Sequence, residues 1–357
     1  LQPEKFEGYQ ILRQNELVFK MIDLENVNTS RVGLSPYTGL VSPAYIVLKN
    51  DSDDNRYEYY WFMSMYYNEV FNHLGGDGVR SALNVKDMLS LPIPNIPKIQ
   101  KKMLADYLDA KCSKIDEIIE KQQAIIEKLK EYKFSIITEA VTKGINPDVE
   151  LKDSTIDMCE QIPVHWSISQ NRYLFSLRDE KNYKPLEEVR LLSLYTDLGV
   201  FPHGEQEERG NKAVKAEGYK VVYENDIVVN IILAWMGAIG RSAYDGVTSP
   251  AYDIYKPNEN VCSRYYHYLY RTKPFSAECY KYGRGIMAMR WRTYSSEFKS
   301  IKVPVPPYIE QCQIADYLDS KCEMLDKTIA DRNKAIEKLQ EYKKSLIYEV
   351  VTGKKEV

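Results

Sequence analysis

The stretch ADYLDAKC at residues 105–112 returns as ADYLDSKC at residues 315–322, 210 residues later, with a single change. At that offset residues 97–142 align with 307–352 without a gap, and about half of the positions are identical. EKLKEYK (127–133) lies over EKLQEYK (337–343), and EAVT (139–142) over EVVT (349–352). Upstream the match is weaker but continuous: GYQILRQNELVFKMI (8–22) lies over GYKVVYENDIVVNII (218–232). VSPAY (41–45) meets TSPAY (248–252) at an offset of 207, and LPIPNIP (91–97) over IKVPVPP (301–307) restores 210. A period this long is not that of a solenoid. It is the duplication of a whole domain together with its connector.

The second module begins near residue 145, so residues 145–210 precede the point that aligns with residue 1. Nothing corresponds to them at the front. The expectation is an incomplete first globular domain, either truncated or completed by another polypeptide. The register divides the chain into 1–96 (first globular domain), 97–144 (first long helix), 145–306 (second globular domain) and 307–357 (second long helix).

The long helices follow from apolar spacing. Leu104, Leu108, Cys112, Ile115, Ile119, Ile126, Leu129, Ile136 and Ala140 recur mostly in steps of three and four. Ile314, Leu318, Cys322, Leu325, Ile329, Ile336, Leu339, Leu346 and Val350 repeat the pattern. The other faces are charged or polar. This is a heptad-like seam about 60 Å long. Proline-rich entries (LPIPNIP, VPVPPY) exclude helix just upstream, and Gly144 with Pro147 stops the first one. Each helix could pack on its own globular domain. The sharper expectation is that the two pair with each other as an antiparallel coiled coil, a rod that holds the globular domains a fixed distance apart.

The globular parts read as α+β with a twisted, mostly antiparallel sheet. VRLLSLY (189–195), GYKVVYENDIVVNI (218–231) and SPAYDIYKP (249–257) alternate β-branched and aromatic residues with turn chemistry, and SRYYHYLYRT (263–272) suits a helix. The 48 basic and 51 acidic residues balance overall. Locally they do not: residues 260–302 hold nine basic side chains against Glu278 and Glu297. Tyr265, Tyr266, Tyr268, Tyr270, Tyr280, Tyr282, Trp291 and Tyr294 are interleaved with them, a composition suited to phosphate contact and base-edge reading by arginine. Residues 1–96 carry only eight bases against twelve acids.

Several chemistries find no support. GGDG (75–78) and GRG (283–285) lack the spacing of a dinucleotide or methyl-donor loop. VPPY (305–308) approaches the Asn/Asp-Pro-Pro-Tyr signature of amino-methyltransferases, but Val305 cannot hydrogen-bond a target amino group. No Pro-Asp pair stands a short way upstream of the Glu-x-Lys triples Glu131/Lys133, Glu297/Lys299 and Glu341/Lys343 to supply a metal-binding carboxylate. His73, His165, His203 and His267 are scattered singly, as packing or surface residues are. The six cysteines form no CxxC pair, and Cys112 and Cys322 share one repeat position, which points to helix packing in a reduced, cytoplasmic setting. LQPEKFEG lacks the apolar core of a secretory signal, and the run IVVNIILAW (227–235) is too short for a membrane span. A non-catalytic chain with no metal or catalytic residue is expected.

Two aromatic-rich domains, each followed by a Pro-Pro-x-x-Glu-Gln-x-x-Ile-Ala-x-Tyr-Leu-Asp-type entry and a long helix, resemble the DNA-specificity subunit of type I restriction–modification enzymes. PPYIEQCQIADYLDSKCEMLD (306–326) carries that motif in full, while NIPKIQKKMLADYLDAKCSKID (95–116) has Ile-Pro for Pro-Pro and Gln100-Lys101 for Glu-Gln. IPVHW (162–166) resembles the opening of such modules, and NDIVVNIILAWMGAIGRSAYDGVTSPAY (225–252) a common kind of target-recognition domain. The resemblance implies two target-recognition domains that each read half of a split site in double-stranded DNA, with the helices setting the gap. It also implies docking of two modification subunits, which methylate adenine with S-adenosylmethionine, and of restriction subunits that use ATP and Mg. On this basis the DNA-contact candidates are Lys212, Lys215, Asn230, Arg241, Lys281, Arg284, Arg290 and Arg292. Tyr107, Leu108, Tyr317 and Leu318 are candidates for helix pairing or subunit docking. The rival outcomes are a coiled-coil scaffold unrelated to DNA, and a shortened specificity chain that needs a second chain to complete its site.

Overall fold

The computed structural model describes residues 8–20, 31–49, 54–73, 85–196, 198–204, 216–285 and 291–357. It divides into two compact units, Leu1–Ile126 with Ala330–Val357, and Glu127–Ile329. Each contains half of each long helix. The fold is α+β, and the named strands pair antiparallel throughout.

The duplication recurs strand by strand. In the first unit Gln10–Leu12 pairs with Gly39–Val41, and Leu17–Lys20 lies between Val32–Leu34 and Tyr45–Leu48. In the second, Lys220–Val222 pairs with Gly246–Thr248, and Ile227–Asn230 lies between Ile239–Arg241 and Tyr252–Pro257. The strand Phe175–Arg178 extends this second sheet. The turn before the central strand is built identically in both. Asn15 (φ 65°) donates its backbone N–H to the Ser35 carbonyl at 2.8 Å, and Asn225 (φ 74°) to that of Ser242 at 2.9 Å. Asparagine is among the few residues that tolerate this left-handed backbone. Alternation then places Leu17 and Phe19, or Ile227 and Val229, in the core.

In the first unit Leu17, Phe19, Val32, Phe62, Met63, Tyr66, Phe71 and Met88 form one cluster, with Phe19 edge-on to Phe62 at 5.1 Å. The second unit's core is larger and more aromatic. Trp166, Phe175, Tyr265, Tyr266, Tyr270, Phe275 and Phe298 are all nearly inaccessible to solvent. The IPVHW and PPYIEQ segments belong to this scaffold. His165 Nε2 lies 2.7 Å from Glu310 Oε2, Gln311 Oε1 accepts from the Cys262 N–H at 2.9 Å, and Gln311 Nε2 donates to the Pro306 carbonyl at 2.9 Å. The first repeat has Lys101 where the second has Gln311, and Lys101 Nζ instead reaches Glu58 Oε1 at 2.7 Å.

The long helices run Lys98–Lys143 and Tyr308–Val351. Both end on a left-handed glycine, Gly144 (φ 79°) and Gly353 (φ 73°). The proline-rich entry of the second helix is not wholly a loop: Lys302–Val305 is a strand paired with Ser167–Gln170, and the helix starts after Pro307.

Both packing expectations for these helices are met. In the first unit Ala105, Leu108, Cys112 and Ile115 pack with Leu346, Ile347, Val350 and Val351 of the second helix, and Lys343 Nζ lies 2.7 Å from Asp116. Residues near the start of one helix therefore meet residues near the end of the other, which is antiparallel pairing. In the second unit Ala140 and Val141 cluster with Ile314, Ala315 and Leu318, and Lys133 Nζ lies 2.6 Å from Asp326. Leu108 and Leu318 are fully buried, worth about 2 kcal/mol each in area removed from water.

Each unit also clamps its own helix entry with a tyrosine-rich helix. From Arg56–Tyr67, Arg56 Nη1 contacts Asp106 and Asp109 at 2.8 and 2.6 Å, and Tyr60 donates to Asp109 at 2.7 Å. From Ser263–Tyr270, Arg264 contacts Asp316 and Asp319 at 2.8 Å, and Tyr268 donates to Asp319 at 2.7 Å. The repeated ADYLD phrase thus has a physical function. Its aspartates, three apart, share one helix face and receive one arginine, while its leucine faces the seam. Tyr57 and Tyr265 each reach past this entry to the far end of the opposite long helix, donating to the carbonyls of Val351 at 2.9 Å and Val141 at 2.8 Å. Tyr107 and Tyr317 pack partly buried at the rims of the two clusters.

Candidate nucleic-acid interface

Three segments of the second unit converge on one surface: the turn after Ile227–Asn230, the end of helix Lys273–Tyr282, and the chain returning at Trp291–Thr293. Asn230 organises the turn. Its side-chain oxygen accepts from the N–H groups of Ile232 and Leu233 at 3.0 and 3.3 Å, and Gly237 closes the turn with φ 88°. Trp235 is pinned by its indole N–H to the Ile232 carbonyl at 3.0 Å and contacts Tyr280 at 5.9 Å between centroids. Tyr280 in turn stacks on Trp291 at 4.8 Å and 21°. Thr293 ties the returning chain to the turn through its N–H and the Ile231 carbonyl at 2.8 Å.

Gly283 makes the stack possible. A Cβ there would lie 2.4 Å from Trp291 Nε1 and 2.9 Å from the Cys279 carbonyl oxygen, so any side chain would displace the indole. Immediately after it Arg284 and Arg292 exchange backbone hydrogen bonds at 2.9 Å in both directions. The result is a rigid aromatic base with Arg284, 79% exposed, Lys281, Met236 and the edge of Tyr280 facing outward. Arginine presents a planar fork that suits phosphate oxygens and guanine edges.

Lys281, Arg284 and Arg292 meet on this surface, whereas Asn230 is buried beneath it with its side-chain oxygen taken up by the turn. Arg241 does not join them: it pairs with Ile227, at the opposite end of the strand from Asn230. There its guanidinium contacts Asn225 Oδ1 at 2.8 Å and Glu224 Oε1 at 3.2 Å. Its N–H donates to His267 Nδ1 at 3.1 Å. Lys212, Lys215 and Arg290 lie outside the described residues.

The local charge excess is smaller in space than along the chain. Arg264 is held by Asp316 and Asp319, Lys281 pairs with Asp157, and Arg284 Nε lies 3.2 Å from Glu297 Oε1. Most of these acids come from other parts of the chain. The tyrosines also divide: Tyr265, Tyr266 and Tyr270 are core, whereas Tyr280 and Tyr294 are exposed. Sequence inspection did not single out Gly283 or Trp235. The available signal was a glycine directly before the arginines, and an indole set among turn residues. Among the described residues no group of three or more His, Cys, Asp or Glu side chains could hold a metal, and no helix is long and apolar enough to cross a membrane.

Comparison with known proteins bears on this surface directly. Residues 168–338 match the family model of the Type I restriction modification DNA specificity domain, a span that contains all three segments. Among solved structures, a chain from a study of complex assembly and conformational transition of the type I R-M system superposes with a TM-score of 0.70 at 12% identity, covering 98% of this chain and 84% of its own. The HsdS subunit from Thermoanaerobacter tengcongensis gives a TM-score of 0.52 at 13% identity, covering 96% and 82%. These structural likenesses establish a shared fold over nearly the whole length. Residues 168–338, just under half of the chain, thus match the type I restriction modification DNA specificity domain, and the chain as a whole shares its fold with these two solved structures.

Proposed function

We propose that this chain is the address-reading, non-catalytic subunit of a type I restriction–modification complex. Each repeat reads one half of a bipartite DNA site, and the paired helices set the gap between the halves. The chain docks two modification subunits, which supply adenine methylation from S-adenosylmethionine, and restriction subunits, which use ATP and Mg. The observation that carries this proposal is the coincidence of the specificity-domain match with the surface formed by Tyr280, Arg284, Trp291 and Arg292. The recurrence of that domain's central sheet in residues 10–48 supports a second reading module.

A methylation map of a host carrying the cognate modification subunit, with and without this chain, tests the proposal. A new split motif with two unlike halves is expected. A palindromic motif would mean that the second domains of two copies do the reading. No new methylation, with full-length protein present, would sink the proposal. Inserting seven residues at matched seam positions of both long helices preserves the heptad, lengthens the pair by about 10 Å, and should widen the gap by about three base pairs.

Arginine binding to phosphate has its own signature. Replacing Arg284, Arg290 and Arg292 with alanine should weaken DNA binding by the assembled complex. It should also flatten the dependence of log K on log salt by roughly one unit for each phosphate that is no longer neutralised. An unchanged slope would remove these residues from the interface.

A further inference from the structure

One polar pair interrupts the apolar seam between the long helices. Arg332 Nη1 donates to Gln122 Oε1 at 2.6 Å, both side chains are half-buried, and Arg332 Nε is buried without a hydrogen-bond partner. The two residues are 210 apart, the repeat offset itself. They occupy the same position of the two copies. In the observed antiparallel register, then, this position faces its own counterpart.

That coincidence matters because almost everything else along the seam is interchangeable. Leu108, Cys112, Ile119, Ile126, Leu129 and Val141 correspond to Leu318, Cys322, Ile329, Ile336, Leu339 and Val351. The Asp116–Lys343 and Asp326–Lys133 pairs also use equivalent residues. Two copies of this chain could therefore pair like helix with like helix, keeping the same ion pairs and closely similar apolar packing, with Leu104/Ile314, Ile115/Leu325, Ile136/Leu346 and Ala140/Val350 as apolar exchanges. The change of chemistry would fall on the facing position. First helix with first helix would set Gln122 against Gln122, which can hydrogen-bond. Second with second would set Arg332 against Arg332, two permanently charged guanidinium groups with no acceptor between them in a half-buried seam.

We propose that the position shared by Gln122 and Arg332 selects the partner of each long helix. Arg332 commits the second helix to an antiparallel helix with a neutral or acidic acceptor at that position, which the first helix of the same chain supplies, and excludes the second helix of another copy. A single polar residue in a heptad seam is known to fix register and partner in this way. The choice is asymmetric, because Gln122 leaves pairing between two first helices open.

The test lets full-length chains choose. Two differently tagged copies are unfolded, mixed at high concentration and refolded together. In one mixture the copies carry Asp326→Cys and Lys343→Cys respectively, so a disulfide between copies reports second-with-second pairing. In the other, Asp116→Cys and Lys133→Cys report first-with-first pairing. The unaltered chain gives the background from the native cysteines. With Gln122 and Arg332 in place, first-with-first disulfides should exceed second-with-second by roughly tenfold or more. The double substitution Gln122→Arg with Arg332→Gln recreates the pair within each chain in reverse, so its melting temperature should stay near that of the parent while the order of the two disulfide yields inverts. The same order in both backgrounds would overturn the proposal. So would the absence of between-copy disulfides from every mixture, since something other than this position would then exclude a second copy.

Discussion

Tyr265→Ala should cost the second unit about 3–5 kcal/mol and lower its melting transition by roughly 10 °C. The ring is fully buried, lies edge-on to Trp166 at 6.4 Å and to Tyr266 at 4.9 Å, and its hydroxyl donates to the Val141 carbonyl at 2.8 Å. Truncation opens a cavity among rigid aromatic neighbours that cannot collapse into it. It also removes the hydrogen bond to the end of the first long helix. Tyr265→Phe separates the two effects: the core stays filled, and the loss should be only about 1 kcal/mol. Calorimetry of both variants measures this. A Tyr265→Ala chain that melts within about 2 °C of the parent would remove the ring from the core.

Acid should destabilise the same unit through His267. Burial, then the charges of Arg271 and Arg241, pushes its pKa down from 6.5 to about 3. The geometry gives the same direction, since Nδ1 already accepts the Arg241 N–H and a proton there would break that bond. Unfolding releases the imidazole to its ordinary pKa, so below pH 6.5 the unfolded chain takes up a proton that the folded one refuses. This contribution to stability is complete above pH 6.5 and is lost as pH falls from there towards about 3. By about pH 5 the loss is about 2 kcal/mol. His267→Asn keeps an acceptor near the place of Nδ1 and cannot take up the proton. Urea midpoints at neutral pH and near pH 5 should therefore converge for the variant more than for the parent. Equal pH slopes in the two proteins would mean that His267 titrates normally when folded.

Much of the architecture was legible because it is written twice. The offset of 210 aligned Gln10–Leu12 with Lys220–Val222 and Leu17–Lys20 with Ile227–Asn230, and each pair makes the same sheet contacts. Apolar spacing over residues 104–140 and 314–350 located both long helices, which run Lys98–Lys143 and Tyr308–Val351. What sequence could not give was the identity of partners distant along the chain. The basic run 260–302 was weighed only against the acids inside it, while Asp157, Asp316 and Asp319 arrive from elsewhere to neutralise part of it. Tyr265 and Tyr270 sit among arginines in sequence, yet helix periodicity turns them inward and leaves Arg264 at the surface of the clamp. The choice between helices packing on their own domains and on each other was not a real alternative. The ADYLD segment does both, with its aspartates on one side and its leucine on the other.

The hydrogen bond from Tyr57 to Val351 joins residues 294 apart, and it sets a timetable for synthesis. Tyr57 and Tyr60 share the cluster of Leu108, Cys112 and Ile115 from the start, but the part of that apolar face covered by Leu346, Ile347 and Val350 has no native partner until the second long helix has been made. The intervening unit, Glu127–Ile329, must emerge first. At ribosomal speeds of about 5–20 residues per second the early unit waits roughly 10–40 s with that part uncovered. During this interval the nascent chain is a natural client for chaperones. A ribosome that stalls before the second long helix leaves a sticky half-clamp rather than a folded domain.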